Sequence, residues 1–490
     1  MTKTIRSAVS MMLAVASLAL VGCATEGSSS GSETGAQAYK GQEEAKNLRL
    51  VGYHDLSART AYQPTIKKQG ERWIAYIGSH GGRMVNPLTG QMEENGTNIL
   101  DVTDPKAPKL LFHIPGEKGR EVPGRETGGA QMTRVCLGTE LPNADKSKTY
   151  LLRTFGDSTQ EVFDVTVPEK PVRIAQFGKF RSTHKNEWEC SSGIAYIPGS
   201  DDAYRASRVT HVYDLSNPAK PVFIRAFGLT DQLKDAKGYQ HGQIHGPLSA
   251  YPEKDRVYFG YGTNARGVGQ IVDRQKLLKG PAAPNAKNLS DPEVGRADLP
   301  EFMGAHTTFP LLGIDMPDFK ENEKKVRDFM VIVNENNTTV CNEPRQMAFF
   351  VDITDEARPF GVANYEPLES SGNFCARGGR FGAHASNENR TPIYYKKLMF
   401  FSWFNAGVRM VDVRNPYRPR EVGYYIPAIN PRTDERCADE QNKTNCVPAV
   451  QINNVEVDDR GYVYAVDRAN SGLYILEVIG EAREIANLPR

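Results

Sequence analysis

Five times along this chain an apolar strand ends in aspartate and runs straight into a proline-bearing turn. That repeat limits the possible folds more than any other feature. It reads LDVTDPKAPKL from Leu100, FDVTVPEKPVR from Phe163, YDLSNPAKPVF from Tyr213, VDITDEARPFG from Val351 and VDVRNPYRPRE from Val411. In the last copy, Met410 to Val413 alternate and are rich in strand formers. The short Asp412 carboxylate can accept N–H bonds from the turn after it. Pro416 and Pro419 lack the N–H that a ladder needs and fix φ, so the chain turns before Glu421 to Ile426 resume a strand. Upstream lie Lys397 to Trp403 and an extended stretch after Gly382, which makes four short antiparallel strands per unit.

Two weaker units follow the same plan, Val268 to Asp273 after Arg256 to Tyr261, and Leu473 to Val478 after Tyr462 to Asp467. The acidic markers Asp101, Asp164, Asp214, Asp273, Asp352, Asp412 and Glu477 are 63, 50, 59, 79, 60 and 65 residues apart. A recurring supersecondary unit at such a period means a repeat architecture. Seven four-stranded units close into an all-β, seven-bladed propeller, in which only short, protected sheet edges remain. The period exceeds a minimal blade of about 40–45 residues. The excess is expected in exposed loops, with Pro281 to Asp298 among them. Asn47 to Tyr53 is expected to add a strand to the last blade.

These residues resemble the LVIVD repeat family of bacterial and archaeal β-propellers over roughly residues 47–480. The resemblance implies a single propeller domain, residues 47–490 here. The unit at Asp273 departs from the pattern by lacking both prolines, and the last unit by carrying Glu477 for aspartate. Family membership implies the fold and little about activity, because propellers host unrelated functions.

The first residues read as a targeting segment. Lys3 and Arg6 precede an apolar run, Ala8 to Leu20, too short to span a bilayer. Leu20-Val21-Gly22-Cys23 resembles the lipobox of bacterial lipoproteins. That resemblance implies a signal peptide over 1–23, diacylation of Cys23, and the lipid bilayer as a partner; an ordinary cleaved secretory signal is the alternative. Residues 24–46 are rich in Ser, Gly, Glu and Ala and read as a flexible tether. Residue 24 is Ala rather than Asp, which by resemblance to enteric sorting rules favours the outer membrane. The expected location is therefore the bacterial cell envelope, facing the periplasm or the surface. Sixty basic residues against 59 acidic, with no basic stripe, argue against nucleic acid as a partner.

Six cysteines remain beside Cys23, an even number in an oxidising compartment. Cys437 and Cys446 flank a polar loop and are expected to form a disulfide. Cys136, Cys190, Cys341 and Cys375 can pair as 136–190 and 341–375. Alternatively they stay as free thiols or metal thiolates, although no Cys-x-x-Cys is present.

Chemistry is expected where histidines recur. His241 and His245 lie in QHGQIHGP, His306 in GAHTTFP, His384 in GAHASNENR and His184 in STHKNEWEC. Each falls at or just before the first strand of a unit, which in a propeller lines the axial channel. Imidazoles gathered there suit zinc, copper or iron, and a catalytic metal keeps one position open. Glu187, Glu189, Glu335, Glu343 and Glu388 are candidate carboxylates, with Glu343 and Glu388 taken as the catalytic pair. The alternative is that repeat ancestry placed structural histidines at equivalent positions. Arg377, Arg380 and Arg390 flank His384 and can receive a carboxylate or phosphate. No phosphate loop, dinucleotide fingerprint or nucleophile elbow is present.

Two functions fit. One is an anchored binding or scaffold module for a protein or small-molecule ligand, which needs no cofactor. The other is a metal-dependent oxidoreductase or hydrolase at the channel mouth. For the second, the chain resembles metal-using propellers of the selenium-binding and methanethiol oxidase type in architecture and axial histidines only.

Overall fold

The aspartate that ends each repeat does what its short side chain allows. In the computed structural model, Asp101, Asp164, Asp214, Asp352 and Asp412 each accept a bond at Oδ1 from the backbone N–H two residues on, at 2.7–3.1 Å. Each closes the third strand of its sheet. The unit without prolines uses its aspartate differently. Asp273 accepts from Lys276 N and caps a short helix, Arg274–Lys279, in place of the Pro-x-x-Pro turn. Glu477 pairs instead with Arg49 at 2.6 Å.

The structure describes residues 41–120, 127–263, 266–316, 325–339, 341, 346–367, 374–439 and 442–488. The signal peptide, Cys23, residues 24–40 and Glu343 lie outside the described residues. The described chain forms a seven-bladed β-propeller, seven sheets of four antiparallel strands arranged in a ring. The first strands of blades 1 to 6 are Ala61–Gln69, Thr133–Leu137, Glu187–Trp188, Ile244–Ser249, Thr307–Asp315 and Ala385–Ser386. Blade 7 holds Ile452–Val457, Tyr462–Asp467 and Leu473–Val478, and its outer strand is Leu48–His54 from the other end of the chain. The expected added strand is thus the clasp of the ring. It tethers blade 7 to blade 1 through main-chain bonds that would otherwise be left unpaired at an edge.

In every blade the ladder between the third and fourth strands shifts register by one residue just before the marker acid or its equivalent. Such bulges increase local twist, and here they recur at one height around the ring. The core lies between blades. Phe329, Val331 and Phe350 of blade 5 pack in one cluster with Met399, Phe401 and Val411 of blade 6. Sheets covered on both faces read as continuous apolar runs, as in the fully buried Leu398–Ser402. No helix of the described residues is long and apolar enough to cross a membrane.

Two expectations need correction. Pro281 to Asp298 is not simply a loop. It contains a helix, Ala286–Ser290, and then Glu293–Asp298, the outer strand of blade 4. The tether also ends earlier than residue 46. Glu44–Lys46 pairs with Arg420–Ile426 as a fifth strand of blade 6, held further by Glu44 to Arg377 at 2.8 Å and Tyr425 to Glu43 at 2.6 Å. A polar composition says nothing against this, since an open sheet edge recruits backbone rather than side chains. The expected Cys437–Cys446 disulfide is present, and the four cysteines left open pair as Cys136–Cys190 and Cys341–Cys375.

Candidate functional site

One residue within three positions of the start of each first strand forms a set of seven, one per blade: Tyr62, Met132, His184, His245, His306, His384 and Asn453. Five of their rings make a closed circuit. Centroid separations are 5.2 Å from Tyr62 to His184, 4.6 Å to His245, 3.8 Å to His306, 4.4 Å to His384 and 5.7 Å back to Tyr62. Residues up to 322 apart in sequence therefore meet at one point. In blades 1, 4 and 7 the ladder shifts register across Tyr62, His245 and Asn453, so a bulge aims the side chain. Close approach of blades 4 and 5 needs a glycine. A Cβ on Gly246 would stand 2.5 Å from the His306 carbonyl oxygen.

Hydrogen bonds orient these rings. His384 Nδ1 lies 2.5 Å from the Asn453 carbonyl oxygen, so that nitrogen carries the proton and Nε2 keeps its lone pair. Nε2 lies 3.8 Å from Glu335 Oε1. His184 Nε2 is 3.1 Å from the Tyr62 hydroxyl. His306 Nδ1 is 2.9 Å from Thr307 Oγ, which also accepts from Lys185 at 3.0 Å. His306 Nε2 and His245 Nδ1 are buried with no partner. One donor atom each from His245, His306 and Glu335 fits within 4.8 Å. Burial drives all four imidazoles well below their ordinary pKa, reinforced for His184 by Arg208, for His245 by His184, for His306 by His245 and for His384 by Arg468. They are neutral bases, the form a metal binds.

Buried charged groups from blades 2, 3 and 6 also meet. Glu388 pairs with both Lys185 and Arg134. Burial alone would raise its carboxyl, but Lys185 and Arg134 outweigh that and hold it below the ordinary value. Glu456 accepts from the backbone N–H of Glu388, and burial, then the Glu388 charge, push its carboxyl up to about 8. Above the ring, a funnel of about 1520 Å³ opens to solvent, with His80, His184 and His245 among its lining residues.

The sequence-based site is thus partly assembled. His184, His245, His306 and His384 come together with Glu335. His241 does not join them. Its Nδ1 bonds Asp231 at 2.6 Å on a loop that precedes the strand, because four residues of extended chain carry it away from the axis. Glu388 is committed to Lys185 and Arg134 rather than to the imidazoles, and Glu189 is locked to Arg274 at 2.7 Å. Glu187 sits 3.2 Å from Arg134. Arg380 reaches Glu335 at 3.5 Å, whereas Arg377 holds Glu44 and Arg390 reaches the Tyr251 carbonyl. Tyr62 and Asn453 went unnoticed as members of the set. The signal for Tyr62 was AYQP, which aligns with IHGP at His245.

No family description and no curated protein matches the chain. Among solved structures it is similar to Sqt1 of Chaetomium thermophilum bound to the N-terminus of ribosomal protein L10, at 9% identity and TM-score 0.48, over 88% of this chain and 99% of that one. Two structures of Sqt1 without that peptide in their description give 9% and 10% identity, TM-scores of 0.46 and 0.47, and cover 89% and 88% of this chain and 99% and 100% of Sqt1.

Proposed function

We propose that the protein is an envelope-anchored metalloprotein that holds one transition ion at the floor of the axial funnel and works on a ligand entering from above. One observation carries this reading: neutral imidazoles from four consecutive blades converge with Glu335, and His245 Nδ1 and His306 Nε2 are buried without partners. Unsatisfied buried nitrogens are costly, and a bound cation would satisfy them. Mixed imidazole and carboxylate donors suit zinc, copper or iron. A bound ion there would supply Lewis acidity or a redox couple. The chain's own groups would do the rest. Asn453 and Thr307 fix the His384 and His306 rings, Arg380 steers Glu335, and Tyr62 stays protonated, since burial and then Glu335 raise its hydroxyl well above the ordinary value. Metal analysis of the mature protein tests this. About one ion per chain, lost in the His245→Ala/His306→Ala double variant, supports it; metal-free protein after growth with zinc, copper and iron refutes it.

The second reading, a binding module without chemistry, is favoured by the size of the funnel, which far exceeds what an ion needs. Metal-free protein that still binds a ligand there would favour it. What supports anchoring and membership of the LVIVD repeat family is the sequence: the lipobox-like Leu20 to Cys23 and the repeated Asp-Pro turn. Cys23→Ser is expected to release the protein from membranes without unfolding it, and retention would count against lipidation.

A further inference from the structure

Arg208 is the group in the funnel that nothing so far explains. It lines the cavity beside His184 and His245, yet only 8% of the residue is exposed. Its Nε is buried without a partner, and its guanidinium makes no ion pair or hydrogen bond with any described residue. Three other buried arginines each face a carboxylate: Arg153 meets Glu161 at 2.7 Å, Arg274 meets Glu189 at 2.7 Å, and Arg134 pairs with Glu388. A buried, unpaired guanidinium costs stability unless something compensates it.

Glu335 and Asp157 act on Arg208 through space, but no carboxylate of the described residues forms an ion pair with it. Eight arginines and lysines line the funnel against three carboxylates, Asp157, Glu335 and Asp439. Glu335 lies 3.5 Å from Arg380, and Asp157 lies 3.6 Å from Arg120. This excess of five positive charges is local, because the whole chain carries only +1. A cleft whose lining carries a net excess of one sign of charge concentrates ligands of the other sign. Arginine's planar fork matches an oxyanion with two parallel bonds, which a point charge does not do.

We propose that the funnel binds a small organic anion, whose carboxylate, phosphate or sulfate group is held by Arg208 and whose body lies over the histidine ring. The anion also offsets the positive charge that would otherwise oppose a cation on the imidazoles. The inference concerns the ligand of the proposed metal site but does not need the metal, since Arg208 is unpaired in either case.

Titration calorimetry at low ionic strength tests it, with inorganic phosphate and succinate as separate probes on metal-stripped and zinc-loaded protein. Saturable binding of at least one probe, weakened about tenfold or more by Arg208→Gln, is the expected result. Arg49→Gln, at an arginine of the clasp strand that does not line the funnel and whose side chain is 62% exposed and paired with Glu477, is expected to change affinity less than twofold. Phosphate binding alone identifies a tetrahedral anion, and succinate binding alone a carboxylate. No saturable binding of either probe, or equal affinity in Arg208→Gln, overturns the inference. Should Arg208→Gln fail to fold, Arg208→Met decides by thermal unfolding in anion-poor buffer. A melting temperature equal to or above wild type fits an arginine kept for a ligand, and a fall of several degrees makes it structural and overturns the proposal. The two proposals fail separately. Protein that takes no metal but binds phosphate through Arg208 loses the metal site and keeps the anion site, and zinc-loaded protein that binds neither probe does the reverse.

Discussion

Acid should destabilise the metal-free protein through its histidine ring, and one substitution isolates the effect. His306 is fully buried, and burial, then His245 and His384, hold it well below the ordinary 6.5. The folded imidazole stays neutral while the unfolded one takes up a proton below 6.5. The unfolded state therefore binds more protons at acid pH, and stability present above 6.5 is lost as pH falls. The slope is about 1.4 kcal/mol per pH unit for each such group. Between pH 7.5 and 5.5 that amounts to roughly 1.4 kcal/mol for His306, and to roughly 5–6 kcal/mol if His184, His245 and His384 behave alike. Folded domains have only about 5–15 kcal/mol in total. Buried carboxylates with raised pKa oppose this trend, so the wild-type slope is a sum of both signs. The comparison of His306→Gln with wild type removes that complication. Urea unfolding of chelator-treated protein at pH 7.5 and 5.5 should show His306→Gln losing roughly 1.4 kcal/mol less than wild type. Identical losses in the two proteins would mean that the ring is hydrated or already protonated in the fold, and the electrostatic picture of the site would fall.

Glu456 should behave oppositely, because burial and then Glu388 raise its carboxyl to about 8. Its folded value lies above its unfolded one, so stability is lost as pH rises toward 8, and Glu456→Gln should gain on wild type more at pH 8 than at pH 5; a constant difference would refute the raised value. Cys136→Ser removes a bridge between residues 54 apart and should cost about 4 kcal/mol in urea unfolding on chain-entropy grounds; unchanged stability, with no new thiol pair on reduction of wild type, would disprove the bridge. Glu189→Ala leaves Arg274 buried without its carboxylate and should cost about 3–5 kcal/mol, with Glu189→Leu/Arg274→Met recovering most of it. A single variant as stable as wild type would show the pair to be dispensable.

The sequence by itself determined the blade. An aspartate that accepts from the N–H two residues on, followed by prolines that end the ladder, is local chemistry, and it acts alike wherever the chain writes it. Counting those units gave seven sheets, and Asn47 to Tyr53 read as an added strand, but that Leu48–His54 closes the ring is decided by its pairing with Leu473–Val478. The short loop between Cys437 and Cys446 made that bridge readable, whereas the pairing of Cys136 with Cys190 and of Cys341 with Cys375 was one of several open possibilities until the blades were placed. Other features had no local signature. Glu44–Lys46 is polar, and only an open edge on blade 6 makes it a strand. His241 and His245 look like a pair in sequence, and only the rotation of the chain into blade 4 separates them. The histidine circuit, the commitment of Glu388 to Lys185 and Arg134, and the solitude of Arg208 arise from closing the ring. Closure sets side chains from different blades against each other across the axis, and distances between blades are fixed by inter-sheet packing rather than by any stretch of sequence.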